Sequence, residues 1–128
     1  MLPPQLELEI ENLRKDHSIE IVEESTIINV VIDNLPTSDL YSLPIVTVLL
    51  RVPRAYPDAG LDMFWTTKDL TLKGGGIPNG ANQIEKYLEK EWRRFSWHPN
   101  PGNPKRWNPT VDNLLSYLEF VKRRFEQG

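Results

Sequence analysis

The sequence contains no cysteine among its 128 residues, and this absence excludes several classes of function. A disulfide framework, a cysteine-ligated zinc site and a thiol nucleophile all require a residue that the chain lacks. Its two histidines, His17 and His98, lie far apart, so the sequence predicts no metal site and indicates no cofactor. Whatever the protein does, it uses no sulfur chemistry of its own.

The sequence also lacks a long apolar run and a strong net charge. Its first residues alternate apolar and acidic positions, which predicts neither a signal peptide nor a membrane-spanning helix. We therefore expect a cytoplasmic location and no membrane partner. A hydrophobic content of 39%, a charged content of 26% and a net charge of −3 are typical of a soluble globular protein. The length suits one domain, predicted to span residues 1–128.

The first half of the chain carries signals for one helix and four strands. Pro3 and Pro4 suit a first helical turn, and apolar residues at helical spacing extend that helix to about Lys15. Apolar, β-branched and aromatic residues then predict strands at residues 18–24, 26–32, 43–52 and 61–67. Four consecutive strands joined by polar turns predict an antiparallel meander.

The spacing of apolar residues in the second half of the chain predicts two helices. Asn82 is a plausible cap for a helix whose apolar stripe comprises Ile84, Tyr87, Leu88, Trp92 and Phe95. A last helix is predicted from Asn108 as cap and Pro109 at the first helical position, with basic residues near its end. The order of elements predicts an α+β fold with helices packed on one face of the four-stranded sheet.

Aromatic and basic residues are interleaved between Trp92 and Trp107. This segment holds three tryptophans together with Arg93, Arg94 and Arg106. Such a pattern is typical of single-stranded nucleic-acid binding, in which bases stack on rings and phosphates contact cations. The acidic net charge, and a helical phase that sends Trp92 and Phe95 into a core, argue against that function.

Three motifs resemble those of the ubiquitin-conjugating enzymes and extend over most of the chain. A proline-rich turn precedes an apolar strand, a His-Pro-Asn triplet follows, and a tryptophan two residues before a proline leads into a helix. Their residues here are Pro53, Tyr56, Pro57 and Phe64; His98, Pro99 and Asn100; and Trp107 with Pro109. The arrangement is most similar to the bacterial members of this superfamily, and it implies the ubiquitin-conjugating-enzyme fold.

The resemblance also implies where a catalytic site would lie. In that family the histidine of the triplet braces the site loop, and the asparagine supports the oxyanion formed during acyl transfer. Two placements remain open here, Ile77-Pro78-Asn79 and His98-Pro99-Asn100. The family-like candidates are therefore Asn79, His98 and Asn100. No cysteine follows either triplet, so thioester transfer is not expected from this sequence.

By resemblance, the chain is a component of a bacterial pathway that attaches ubiquitin-like proteins. Without a thiol it would act by binding a ubiquitin-like protein, an activating-enzyme-like (ThiF-type) protein, or both. The alternatives are a non-catalytic interaction module that orients ubiquitin for a partner, and a single-stranded nucleic-acid binder. Candidate binding residues are Tyr56, Trp65, Trp97, Arg106 and Trp107.

Overall fold

The computed structural model describes residues 2–58, 61, 63–78, 80–95 and 112–127. Within these residues, two helices and six strands follow one another. They are α1 (Pro4–Leu13), β1 (Ser18–Glu23), β2 (Ile27–Pro36), β3 (Ile45–Pro53), β4 (Phe64–Thr67), β5 (Gln83–Tyr87), β6 (Lys90–Phe95) and α2 (Leu114–Phe125). Neither helix has the length and apolar character that crossing a bilayer requires in the part of the chain described.

The predicted fold class is wrong, because the described part of the protein is mostly a six-stranded antiparallel sheet with two short helices. Strands appear in each of the four regions where the sequence predicts them, but β4 is not the end of the sheet. The strand order is β1-β2-β3-β4-β6-β5, so a further hairpin extends the sheet beyond β4. The expected four-stranded meander under three helices is therefore replaced by a larger sheet with fewer helices.

The predicted helix after Asn82 is in fact the hairpin formed by β5 and β6. Its apolar residues have helical spacing, but β4 has only a short ladder with β3 and gains a second partner in β6. Phe95 lies opposite Phe64 in that pairing, and their rings stack with centroids 4.8 Å apart. Tertiary pairing of this kind overrides local helical periodicity.

Helix α2 begins later than the sequence predicts. Asn113 is its cap: the Asn113 side chain accepts the Ser116 N–H at 2.8 Å, and the Ser116 hydroxyl accepts the Asn113 N–H at 2.9 Å. This reciprocal capping box satisfies two backbone donors that a helix start leaves without partners. The predicted cap, Asn108, and the predicted first residue, Pro109, lie outside the described residues.

Alternating residues of the strands build two separate cores. On the helix-side face, both helices and the sheet bury a large apolar cluster that includes Leu6, Ile10, Val48, Leu50, Phe64, Phe95, Leu118 and Phe125. On the opposite face, a smaller cluster consists of Val31, Leu49, Trp65 and Trp92. Tyr87 and Leu88, at the turn between β5 and β6, pack on this second cluster. We refer to this opposite face of the sheet as the hairpin-side face, and to residues 87–90 as the hairpin tip.

Candidate functional site

Tyr56 lies in the helix-side core, in the turn that follows β3. Its side chain is 3% exposed, and its hydroxyl donates a hydrogen bond to the Glu9 carboxylate. The same Glu9 oxygen accepts the Leu114 N–H at 2.7 Å. Burial, followed by the hydrogen bond to Glu9, raises the pKa of Tyr56 well above its usual value. Tyr56 and Glu9 thus join the turn, α1 and the start of α2.

Most of the other predicted site residues lie outside the part of the chain that the structure describes. These are Asn79, Trp97, His98, Asn100, Arg106 and Trp107. Five of them belong to residues 96–111, which connect Phe95 at the end of β6 to Asp112 just before α2. Because the Leu114 N–H is hydrogen-bonded to Glu9, the start of α2 lies beside Tyr56 and the turn after β3.

Trp65 lies on the hairpin-side face, where it is 8% exposed. Its indole N–H donates to the Glu85 carboxylate at 2.9 Å, and its ring meets the Tyr87 ring edge-on with centroids 5.5 Å apart. Glu85 also forms a 2.9 Å ion pair with Arg94. The buried indole therefore has its polar group satisfied, as such groups require. Tyr56 and Trp65 do not share a surface, because they belong to cores on opposite faces of the sheet.

Arg51 anchors the hairpin tip to the sheet. Its guanidinium carbon lies 3.8 Å from the centre of the Tyr87 ring, a cation–π contact. The same guanidinium donates to Asn29 at 2.9 Å and to Glu24 at 3.0 Å. Hydrogen bonds from Asn29 and then Arg51 lower the pKa of Glu24. A polar network thus fixes the aromatic end of the hairpin above β2 and β3.

The turn at the hairpin tip has an unusual backbone. Leu88 and Glu89 are consecutive non-glycine residues with φ values of 54° and 62°. A two-residue hairpin turn of this type favours Asn-Gly, because left-handed backbone costs other residues about 1–2 kcal/mol each. The Trp92 indole donates to the Tyr87 carbonyl at 2.9 Å, and Leu88 packs on the hairpin-side cluster. These contacts hold the turn across the face of the sheet.

Two grooves flank the hairpin tip, and Trp92 contributes to the walls of both. The larger groove has a volume of about 700 Å³ and is lined by Thr47, Thr67, Lys68, Asp69, Ile84, Glu85, Lys86, Glu89, Lys90, Glu91 and Trp92. The smaller groove has a volume of about 320 Å³ and is lined by Glu20, Val22, Val31, Leu88, Glu89, Lys90 and Trp92. Both volumes lie in the range of about 300–1,000 Å³ that is usual for ligand sites.

The model for prokaryotic E2 family E matches residues 7–128, which is nearly the whole chain. The chain belongs to this family. No curated protein and no solved structure matches the chain. Membership in prokaryotic E2 family E confirms the predicted kinship with conjugating enzymes and gives the protein an E2-like role.

The described part of this member of prokaryotic E2 family E carries several kinds of polar side chain on its hairpin-side face. The hairpin-side face offers carboxylates, ammonium groups, threonine hydroxyls and aromatic rings, and the chain has no thiol. Within the described residues, no three histidine or acidic side chains are grouped so that they could hold a metal ion.

The two described arginines of the aromatic and basic segment are used within the E2-family fold. Arg93 is 8% exposed and donates to the carbonyls of Lys68 and Ala81 at 3.2 and 2.7 Å. Arg94 is paired with Glu85. Both guanidinium groups therefore have partners within the fold.

Several residues of the hairpin-side face were missed by sequence reasoning. Glu85, Tyr87 and Arg51 meet there because β5, β6, β4 and β3 are neighbours, which local pattern does not reveal. Glu85 and Tyr87 are half-buried in β5, but the apolar residues Ile84 and Tyr87 are three positions apart, which is a helical spacing and gives no signal of a strand. The sequence does not predict the turn itself, since Leu88-Glu89 contains none of the usual turn residues.

Proposed function

We propose that this E2-like protein acts by reversible binding of a ubiquitin-like protein, its activating-enzyme-like (ThiF-type) partner, or both, in a bacterial modification pathway. The family match over residues 7–128, in a chain without cysteine, supports this proposal. A conjugating enzyme carries its acyl group as a thioester on a cysteine sulfur, which this polypeptide lacks. It therefore keeps only the binding part of an E2 role. In such a pathway a second, cysteine-containing protein would carry the covalent intermediate.

The hairpin-side face is the surface that we propose for this contact. Trp65 and Trp92 are buried beneath this face and support it, and the charged and polar groups of the larger groove lie at its surface. Polar and charged side chains of this kind make up the rim of protein interfaces. Among the residues predicted from sequence, Trp97, Arg106 and Trp107 remain proposed binding residues, and Asn79, His98 and Asn100 remain family-like candidates without a catalytic task in this chain.

Titration calorimetry with a ubiquitin-like protein and a ThiF-type protein from the same genome tests the proposal. We expect saturable binding to one or both without ATP, and no adduct that a reducing agent removes when ATP is present. Absence of reversible binding to both proteins would contradict the proposal.

Charge reversal distinguishes the proposed surface from the rest of the molecule. Lys86→Glu and Glu91→Lys change exposed residues of the larger groove, and we expect each to weaken binding about 2–5-fold. The matched control is Arg123→Glu, which changes an exposed residue on α2 and should leave affinity unchanged. If only the control weakens binding, the partner docks on the helices instead.

A further inference from the structure

The smaller groove combines an apolar floor with a charged rim. Val22 and Val31 from the sheet, Leu88 from the hairpin tip and Trp92 form the floor. The charged groups around it are Glu20, Glu89 and Lys90, so the rim carries two negative charges and one positive charge. An apolar cleft with a few charged groups at its mouth is suited to a ligand that is apolar along its length and charged at its end.

The two carboxylates of the rim are not used inside the protein. Among the described residues, neither Glu20 nor Glu89 forms an ion pair or a side-chain hydrogen bond, and both are exposed. Glu20 lies on the edge strand β1, and its cross-strand neighbour is the apolar Val31. By contrast, Glu24 and Glu85, on the same face, are each paired with an arginine. The rim of the smaller groove thus carries two carboxylates that no arginine among the described residues neutralises.

We propose that the smaller groove binds a lysine side chain presented by a partner protein. The four-carbon stem of lysine lies on the apolar floor, and its ammonium group is held between Glu20 and Glu89. The two carboxylates come from separate elements, β1 and the hairpin tip. Two separated charges suit a compact ammonium, whereas a planar guanidinium favours one carboxylate side-on. This site goes beyond the proposed function, because it holds for any protein that carries the lysine.

Small amides of single amino acids test the site without knowledge of the partner. We would titrate isotope-labelled protein with acetyl-lysine-amide, in which the acetyl group is on the α-nitrogen, and follow the indole N–H of Trp92 by NMR. We expect a saturable shift of that signal, and about tenfold weaker binding of the norleucine analogue, which has the stem but no ammonium. Equal binding of the norleucine analogue overturns the role of the carboxylates. Equal or tighter binding of the arginine analogue overturns the assignment to lysine.

Variants of the rim locate the binding. Glu20→Gln and Glu89→Gln should each weaken binding of the lysine amide about 2–5-fold, and Lys90→Gln should strengthen it slightly, since a like charge is removed. The matched control is Glu91→Gln, which alters an exposed carboxylate that lines only the larger groove. A dispersed amide spectrum confirms that each variant is folded. If Glu91→Gln weakens binding as much as the rim variants do, the lysine does not bind in the smaller groove.

Discussion

The two faces of the sheet are built from alternate residues of the same strands, yet they have different compositions. The helix-side core is large and almost entirely apolar, with Phe64, Phe95 and Phe125 in mutual ring contact. The hairpin-side cluster has few buried members, and each of its tryptophans donates a hydrogen bond to a polar neighbour. The first face supplies most of the hydrophobic stabilisation, and the second arranges polar groups where a partner can reach them.

Phe64 and Trp65 give the sharpest test of this contrast, because they are consecutive in β4 and lie on opposite faces. Phe64→Ala should lower the free energy of unfolding by about 3–5 kcal/mol, since it leaves a cavity among stacked aromatic rings. Trp65→Phe keeps a ring but loses the hydrogen bond to Glu85, worth about 1 kcal/mol, and part of the packing of the larger indole, so we expect a smaller loss of about 1–2 kcal/mol. Urea denaturation measures both values. Equal losses for the two variants would show that the faces do not differ in this way.

Glu9 is one of the polar links within the mostly apolar helix side, where the buried Arg124 also donates to the Tyr41 hydroxyl. Glu9→Ala removes the acceptor for both the Tyr56 hydroxyl and the Leu114 N–H. We expect the free energy of unfolding to fall by about 1–3 kcal/mol, because both donors are left without a partner. Glu11→Ala, an exposed position on the same helix, is the control and should stay within about 0.5 kcal/mol of the parent. Similar losses for the two variants would contradict the linking role of Glu9.

Alkaline pH should expose the same link through the raised pKa of Tyr56. The unfolded tyrosine releases its proton near pH ~10, whereas the folded one keeps it to higher pH, so stability is complete below that value and falls as pH rises. Each pH unit above it lowers the free energy of unfolding by up to about 1.4 kcal/mol for this residue. Tyr41 and Tyr87 also have raised pKa values, mainly through burial, and they add to the slope.

Urea denaturation at several pH values between about 9 and 11 measures this dependence. Tyr56→Phe removes one titrating group and should make the slope shallower than in the parent protein. The parent and the variant can be compared at neutral pH to separate the cost of the lost hydrogen bond. An unchanged slope in Tyr56→Phe would mean that Tyr56 titrates alike in the folded and unfolded states.

Local signals explain which parts of the fold the sequence predicts. Helix α1 begins at a proline and carries an apolar stripe, and β2 and β3 are rich in β-branched residues, so each is recognisable in isolation. The hairpin of β5 and β6 is not recognisable in isolation, because the spacing of its apolar residues also fits a helix. The strand is formed rather than the helix because Phe95 pairs with Phe64, which lies much earlier in the chain.

The site is less predictable than the fold for a related reason. Trp65 could be singled out as an aromatic residue on a predicted strand, and it lies in the hairpin-side cluster. Its neighbours Glu85 and Tyr87 come from a hairpin that the sequence presents as a helix, and Arg51 reaches Tyr87 only because the tip crosses the sheet. Proximity of this kind depends on strand order and register, which are properties of the whole sheet.

The smallest expected effect concerns the hairpin tip, where the stability of the turn and the proposed recognition of a lysine oppose each other. Glu89→Gly relieves the left-handed backbone but makes the unfolded chain more flexible, so we expect a net stabilisation of about 0.5 kcal/mol by urea denaturation. The same change removes one of the two carboxylates proposed to hold a lysine, so affinity for the lysine amide should fall. Glu89→Gln is the matched control: it loses the charge, keeps the strained backbone and gains no stability. If Glu89→Gly destabilises the protein, the turn is not strained by this residue, and a trade of stability for recognition at the tip is excluded.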